Sequence, residues 1–407
     1  MKLHVLPLLC GILTATLSFA QKAIPNQYIV TLKDSHATPL LLFKNTDDPD
    51  RDRANAGYDG LRGQKTEQAE ALCAAAGIAK TSIYATYADG FCGFAVKADE
   101  RQIAQLAKLE AIENIVPDEY LSLEPSEFTA EDTQESSSAA QQASCAVTIA
   151  GGSAEGSTKN TVIWILDTGI DLDHPDLNVL TGANYVKSFI TGQAADDGNG
   201  HGTHVAGIAA AKNNDFGTVG ISAGAKLAAI KILDNSGNGS LGALLSGLDH
   251  VAKYCSANDV INISIGAYPV LLCDQSSTSL KKLLTNLNKA KVWVCIASGN
   301  NGCDAAKSRP GCFNGTRTLT VGSVNCDLSC STFSNWNKTV VDWVASGANI
   351  YSTYKNGGYA KLSGTSMAAP VVAGICHARA AAPVAGNSVN CKNNCVPAAP
   401  YKIARRQ

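Results

Sequence analysis

Basic clusters and long apolar runs are both missing from this sequence of 407 residues. No segment is rich in Lys or Arg and the net charge is only −2, which argues against nucleic acid or an anionic membrane surface as a partner. Beyond the N-terminus no stretch of about 18 apolar residues occurs, so we expect no membrane span. The chain also lacks an internal repeat, and its 45% hydrophobic residues are typical of a globular protein.

Cysteine, in contrast, is abundant, with 14 residues. Several come in close pairs: Cys303 and Cys312, Cys326 and Cys330, Cys391 and Cys395. These spacings do not repeat like the paired knuckles of a zinc site, so we interpret them as disulfides of an oxidising compartment. At the N-terminus, Lys2 precedes an apolar stretch at 5–19, and Ser18-Phe19-Ala20 has the small residues of a cleavage site. We therefore predict a signal peptide over 1–20 and a secreted, extracellular protein.

The cysteine count itself predicts a free thiol. Eleven cysteines follow residue 144, and because this number is odd at least one of them has no partner within that part of the chain. Cys295 lies inside the apolar strand VWVCIAS and should be the free one, because a buried thiol behaves as a small hydrophobic group. The close pairs predict the bridges Cys303–Cys312, Cys391–Cys395 and Cys326–Cys330.

Composition divides the rest of the chain into three parts. Residues 21–121 mix β-branched strands with helix-like segments and should form a small α+β domain. Residues 122–143 hold five acidic and no basic residues and few large apolar side chains, so we expect a flexible linker that proteases reach. Residues 144–407 alternate apolar strands with helices, which is the pattern of a parallel sheet between two helical layers.

Three polar residues stand at the ends of such segments. Asp167 ends the apolar run TVIWILD, His201 opens the helix HGTHVAG, and Ser366 lies in GTSMAAP at the start of another helix. A serine hydroxyl attacks an amide when a histidine takes its proton and a carboxylate orients that histidine. Together these residue types predict nucleophilic catalysis.

Each of these residues has an alternative interpretation. Three other carboxylates follow the first stretch closely: Asp171, Asp173 and Asp176. Among the four, Asp167 alone directly follows the buried run. His201 and His204 stand at a spacing that suits metal ligands, but no acidic or cysteine ligand is patterned with them, and His204 should pack within the helix. Taken alone, Ser366 is also a reasonable helix cap.

With their flanks, the three motifs resemble those of the subtilisin-like serine proteases (subtilases), most closely the proteinase K branch. The resemblance covers about residues 160–380 and includes DTGI, HPDL, HGTHVAG and GTSMAAP in the chain order Asp, His, Ser. It implies a doubly wound parallel sheet flanked by helices, with a small α+β propeptide domain before it. It also implies a serine endopeptidase that works through an acyl-enzyme, with Asp167, His201 and Ser366 as the catalytic residues.

The resemblance extends to residues that bind the substrate. Ser264-Ile265-Gly266 resembles the edge strand whose backbone pairs with an extended peptide. The segment Ala297-Ser298-Gly299-Asn300 resembles the one whose Asn amide donates to the oxyanion, with the adjacent Asn301 as the competing donor. Where a second glycine commonly follows the edge strand, this chain has Ala267, which alters the expected depth of the primary pocket.

Calcium is the one metal that the resemblance implies. Asp342 aligns loosely with a calcium-ligating Asp of proteinase K, so it is a candidate ligand of a structural calcium, and a surface carboxylate is the alternative. Catalysis itself is expected to need no cofactor.

The N-terminal part resembles the inhibitory propeptide of the same family. We therefore predict a monomeric precursor with an inhibitor-like domain over 21–121, a maturation site within 122–143 and a catalytic domain over 144–407. The expected partners are polypeptide substrates and the chain's own propeptide. No Lys or Arg occurs between Leu121 and Thr158, which argues against a trypsin-like or furin-like host enzyme as the processor.

The sequence argues against two other functions. One is a pseudoprotease that only binds peptides along Ser264–Gly266, but such a protein would normally have lost a residue of the triad. The other is an α/β-hydrolase esterase, and the GxSxG elbow that it requires is absent around Ser366.

Overall fold

Two β-sheets organise the chain. The structure is a computed structural model that describes residues 23–48, 57–123, 140–267, 273 and 278–407. The predicted signal peptide and most of the predicted linker lie outside these residues. Within them, no helix is long and apolar enough to cross a membrane.

The first sheet is antiparallel and belongs mainly to the N-terminal part. Its strands and the two accompanying helices are β1 (Ala23–Leu32), α1 (Asp59–Ala75), β2 (Ile83–Tyr87), β3 (Gly93–Lys97), α2 (Glu100–Leu106) and β4 (Ile112–Ser122). The outer strand beside β4 is β10 (Asn238–Ser240), a short strand of the larger part.

The larger part holds five helices and fourteen strands among the described residues. The helices are α3 (Cys145–Ile149), α4 (His201–Ala210), α5 (Leu241–Tyr254), α6 (Thr278–Lys289) and α7 (Thr365–Arg379). The strands are β5 (Ala154–Glu155), β6 (Val162–Asp167), β7 (Val186–Ser188), β8 (Ser222–Ala223), β9 (Lys226–Lys231), β10, β11 (Val260–Ile263), β12 (Trp293–Ala297), β13 (Thr318–Val324), β14 (Trp343–Ser346), β15 (Ile350–Tyr354), β16 (Gly358–Leu362), β17 (Val384–Cys391) and β18 (Ala399–Arg405).

The second sheet has nine strands in the order β17-β18-β14-β13-β12-β11-β6-β9-β7. In this order, neighbouring strands from β14 to β7 all pair in parallel. Strands β17 and β18 add an antiparallel hairpin at the edge next to β14. Helices cover both faces, so the predicted α/β class with a parallel sheet is confirmed. Short pairs outside this sheet join β5 to β8 and β15 to β16.

Side chains of β6 alternate between two hydrophobic cores, as a strand buried on both faces requires. Ile163 and Ile165 pack in the core that contains residues of α4 and α7. Trp164 and Leu166 pack in the core that contains residues of α5 and α6, and Ile29 of β1 belongs to this second core as well. The N-terminal sheet is therefore packed on the α5 and α6 face of the larger part.

The parallel arrangement brings the carboxyl ends of three neighbouring strands together. Ile263 of β11 pairs with Leu166 of β6 on one side and with Ile296 of β12 on the other. The next residues along these strands, Asp167, Ser264 and Ala297, therefore lie at the same edge of the sheet, where ligands of open α/β sheets bind.

The disulfides differ from the predicted pairs. Four bridges join Cys145 to Cys326, Cys273 to Cys312, Cys303 to Cys395 and Cys330 to Cys391. The predictions Cys303–Cys312, Cys391–Cys395 and Cys326–Cys330 are wrong, because the β17–β18 hairpin carries its cysteines to the loops that follow β12 and β13. Cys295 is free and buried, as predicted, and burial raises the pKa of its thiol.

Candidate active site

The Asp167–His201 pair joins the end of β6 to the start of α4. Asp167 Oδ1 lies 2.8 Å from His201 Nδ1 and also accepts a hydrogen bond from the amide of Thr168. Both side chains are buried, at 0% and 3% exposure. Burial opposes the charged imidazole, but the charge of Asp167 and the hydrogen bond to it outweigh this and raise the pKa of His201. The imidazole is thus held in one orientation and is stabilised when it takes a proton.

A second carboxylate, on Asp197, connects the two elements that carry this pair. Asp197 accepts hydrogen bonds from the hydroxyls of Thr168 and Thr203, at 2.8 and 2.6 Å. Thr168 Oγ1 in turn accepts from the amide of Gly202, one residue after His201. The network ties the end of β6 to the first turn of α4, so the Asp167–His201 distance is fixed by the backbone of both elements. No sequence motif marks Asp197, which looks in the sequence like any other carboxylate of a loop.

The competing acidic residues have other partners. Asp171 accepts from the amide of Gly357, and Asp176 accepts from Asn214, Thr218 and Tyr359. Burial raises the pKa of both carboxyls to about 6. These contacts tie the segment after β6 to the β15–β16 hairpin and to the loop after α4.

His204 is buried inside the protein and contacts two backbone carbonyl oxygens. Its Nε2 lies 2.9 and 3.1 Å from the carbonyl oxygens of Ile350 and Ala360, which fixes a proton on that nitrogen. Burial, together with the nearby His201, lowers the pKa of His204 to about 3. In the described part of the chain no group of three or more His, Cys, Asp or Glu residues is placed to hold a metal ion.

Ser366 lies in the first turn of α7 and is joined to Ser264 in both directions. Its Oγ donates to the carbonyl oxygen of Ser264 at 3.1 Å, and Ser264 Oγ donates to the carbonyl oxygen of Ser366 at 2.9 Å. Because Ser264 follows β11, which neighbours the strand that ends in Asp167, the structure brings the serine and the Asp167–His201 pair to one edge of the sheet. In this structure the Ser366 hydroxyl donates to Ser264 and not to His201.

Asn300 and Asn301 are clearly distinguished by their contacts. The side-chain Oδ1 of Asn300 accepts hydrogen bonds from the amide and the hydroxyl of Thr365, both at 2.8 Å. Thr365 directly precedes Ser366, so these bonds orient the amide group of Asn300 beside the serine. Asn301 is exposed and bonds instead with Asn335, at 3.2 Å between its Oδ1 and the Asn335 amide. The segment before Asn300 is buried, and Ser298 Oγ donates to the Asn335 carbonyl.

The end of β4 occupies the edge that Ser264–Gly266 offers. Ser122 and Gly266 exchange both backbone hydrogen bonds, at 3.3 and 3.2 Å, in an antiparallel bridge. Leu123 donates from its amide to the carbonyl of Gly237, and β4 pairs antiparallel with β10 on its other side. The chain before residue 124 therefore lies as an added strand between two segments of the larger part, in the manner of a bound peptide.

Two buried carboxylates hold the N-terminal part on the larger part. Asp249 of α5 accepts hydrogen bonds from three successive amides, those of Ala88, Asp89 and Gly90, at 3.2, 3.0 and 2.6 Å. Asp118 of β4 accepts from the amide of Gly242 in the first turn of α5, where a negative charge is stabilised. Burial raises the pKa of both carboxyls, that of Asp249 to about 7 with a contribution from the charge of Asp89.

This contact should tighten as the pH falls. The pKa of Asp249 is raised in the contact and returns toward the ordinary range of a carboxyl when the contact is lost, so binding takes up a proton. After cleavage of the connecting segment, we expect the N-terminal part to remain bound more firmly at about pH 6 than at about pH 8. Gel filtration across this range measures the bound fraction.

Asp249→Asn is the matched variant for this prediction, because its side chain has a similar shape and does not titrate. It should flatten the pH dependence and weaken the contact. Release that increases toward acid pH, or an unchanged pH profile in Asp249→Asn, would contradict the prediction.

Asp342 has a backbone partner. Its Oδ2 accepts from the amide of Thr320 at 2.8 Å, and burial raises the pKa of the carboxyl to about 6. Since the described residues hold no cluster of acidic groups around it, calcium binding rests on this one carboxylate and on backbone carbonyls that would have to complete the site.

Comparisons with known proteins agree with this geometry. The profile of the family described as "Subtilase family" matches residues 158–383, and that of "Peptidase inhibitor I9" matches residues 27–124. Subtilisin DY of Bacillus licheniformis is 37% identical over 217 residues, which cover 53% of this chain and 74% of the relative. Subtilisin Savinase of Lederbergia lenta is 39% identical over 213 residues, which cover 52% and 73%. Subtilisin E of Bacillus subtilis is matched over 54% of its length.

Among solved structures, a cold adapted subtilisin-like serine proteinase is 31% identical, with a TM-score of 0.47 over 55% of this chain and 76% of the other.

The chain belongs to the subtilase family, whose members are serine endopeptidases that need no cofactor for catalysis. The match at residues 27–124 identifies the N-terminal part as an inhibitor-type propeptide. Assignment to the proteinase K branch stays a prediction.

Proposed function

We propose that this chain is a secreted serine endopeptidase made as a precursor that cuts itself. The signal peptide is assigned to 1–20, the propeptide domain to 21–121, the maturation site to 122–143 and the catalytic domain to 144–407. One observation carries the proposal. Strand β4 ends in a bridge to Gly266, two residues from Ser264, whose carbonyl contacts the hydroxyl of Ser366. A peptide in that register leads directly to the serine.

In the proposed reaction, Ser366 Oγ attacks the carbonyl carbon of the scissile peptide bond. His201 Nε2 takes the proton of the hydroxyl, while Asp167 holds Nδ1 and stabilises the imidazolium. The carbon–nitrogen bond then breaks, and His201 returns the proton to the leaving amine. Water, deprotonated by the same imidazole, hydrolyses the acyl-enzyme. The first step requires the Ser366 hydroxyl to leave the Ser264 carbonyl and donate to His201, a rearrangement that substrate binding commonly brings about.

The remaining site residues are assigned to binding and charge stabilisation. The Asn300 amide and the backbone N–H of Ser366 are the proposed donors to the oxyanion. The bonds from Thr365 to Asn300 Oδ1 support this because they orient the Asn300 amide group beside Ser366. Ser264, Ile265 and Gly266 are the proposed pairing edge for substrate. We assign the opposite wall of the primary pocket to Ala297, Ser298 and Gly299.

Self-processing is the direct test of this function. The full chain with Ser366→Ala should accumulate as an uncleaved precursor, whereas the wild type should be cut within 122–143, because the substitution removes the nucleophile. Ser157→Ala, which changes an exposed serine outside the site, should be processed like the wild type. Mass spectrometry of the products in a protease-deficient host measures both. Cleavage of the Ser366→Ala chain at the same bond would show that another enzyme performs it.

A further inference from the structure

Arg309 is a buried cation at the end of the peptide-binding edge. Its side chain is 2% exposed, and its Nη1 donates to Glu119 Oε2 at 2.6 Å. Glu119 belongs to β4, the strand of the propeptide that lies in the cleft, and its side chain is 25% exposed. The ion pair thus joins the catalytic part to the segment that occupies the cleft.

The backbone of Arg309 is fixed to the substrate edge. Its amide donates to the carbonyl of Ala267 at 3.0 Å, and the amide of Ala267 donates back at 2.7 Å. Ala267 directly follows Gly266, which pairs with Ser122. The backbone of Arg309 is therefore held by the same short stretch that aligns a bound peptide.

The register defines which position of a peptide meets this cation. Ser122 is the residue opposite Gly266, and Glu119 stands three residues before it in the same strand. Between them, Tyr120 pairs with Ser240 of β10, so the strand is held in the cleft up to the residue next to Glu119. A substrate that follows this path places its corresponding side chain at Arg309.

We propose that Arg309 forms a subsite for a carboxylate side chain of the substrate, at the position three residues before the one that pairs with Gly266. The inference rests on the proposed function, since it requires peptides to bind in the register of β4. In the precursor, Arg309 already binds a carboxylate in this register, the one on Glu119. A guanidinium remains charged at any physiological pH, so Glu or Asp at the same position of a substrate repeats this charge-assisted pair.

Three peptides of one design test the subsite. Each is an acetylated hexapeptide p-nitroanilide, Xaa-Tyr-Leu-Ser-Leu-Phe, in which Xaa is Glu, Gln or Lys. With its Ser opposite Gly266, the terminal Phe falls opposite Ser264, beside the Ser366 hydroxyl. The enzyme is the product that forms when the full chain is expressed. We expect kcat/KM to be about 10-fold higher for the Glu peptide than for the Gln peptide, because the Gln side chain cannot form the charge-assisted pair. The kcat/KM of the Lys peptide should be lower than that of the Gln peptide.

Two variants separate recognition from folding. In Arg309→Met the ratio of kcat/KM between the Glu and Gln peptides should fall to about one, and Arg309→Lys should keep an intermediate ratio, since an ammonium offers charge without the planar fork. A purely structural role would lower the rates of all three peptides together and leave their ratios unchanged.

Equal hydrolysis of the Glu and Gln peptides by the unaltered enzyme would overturn the proposed subsite. This comparison does not depend on whether any variant folds. A preference that survives in Arg309→Met would overturn it as well. If no peptide is cut and casein also stays intact, the proposed peptidase function fails, and the subsite fails with it.

Discussion

Replacement of Ser366 by Ala, or of His201 by Ala, should each lower kcat on a peptide substrate by about 10⁶-fold, the size of the loss in a subtilisin. The first variant has no nucleophile, and the second has no group to take its proton, so the same step fails in both. Asp167→Asn should cost less, about 10⁴-fold, because the imidazole is still present but is held in the wrong tautomer. Initial rates on a chromogenic peptide measure all three.

Asp173→Asn is the control for the carboxylate. Asp173 lies in the loop that follows Asp167 but is exposed, and its substitution should leave kcat near that of the wild type. A fall of kcat in Asp173→Asn that matches the fall in Asp167→Asn would show that the loop, and not the Asp167–His201 pair, is being tested. Near-normal kcat in Ser366→Ala would remove the serine from its proposed role.

Asn300→Ala should lower kcat by about 10²–10³-fold, or about 2.7–4 kcal/mol of transition-state stabilisation, a range measured in a subtilisin. KM should change little, because the oxyanion that the amide stabilises forms only after the substrate has bound. The variant also loses the hydrogen bonds from Thr365, so its melting temperature is measured alongside the kinetics to separate folding from catalysis.

Asn301→Ala is the matched control for the oxyanion donor. It removes the same side chain one residue later, where the amide oxygen accepts from Asn335 and the residue is exposed. We expect its kcat to stay within a few-fold of the wild type. If Asn301→Ala shows the large loss and Asn300→Ala does not, the two assignments must be exchanged. A KM that rises while kcat holds would move Asn300 from charge stabilisation to substrate binding.

Much of the active site follows from where strands end. The apolar run before Asp167 predicts a buried strand, and alternation of strands with helices predicts a parallel sheet, whose carboxyl ends meet at one edge. Asp167, Ser264 and Ala297 occupy that edge because each lies at the carboxyl end of such a strand. These positions depend on local periodicity, which a sequence displays directly.

Contacts between distant segments have no such local signal. Cys303 is paired with Cys395, 92 residues away, because the C-terminal hairpin joins the sheet beside β14, and nothing in the spacing of either cysteine indicates this. Arg309 is an ordinary loop arginine in the sequence, and its ion pair with Glu119 exists only once β4 lies in the cleft. The bonds from Thr365 to Asn300 likewise require two loops to meet.

Ser366 and His201 should act as one catalytic unit, although the Ser366 hydroxyl donates to Ser264 in this structure. The kinetics of the double variant Ser366→Ala/His201→Ala test it most directly. If the two residues act on one step, the double variant should be no slower than Ser366→Ala alone, since the base has no proton to take once the hydroxyl is gone. A further large loss in the double variant, relative to Ser366→Ala, would contradict the account, because His201 would then be acting independently of the serine.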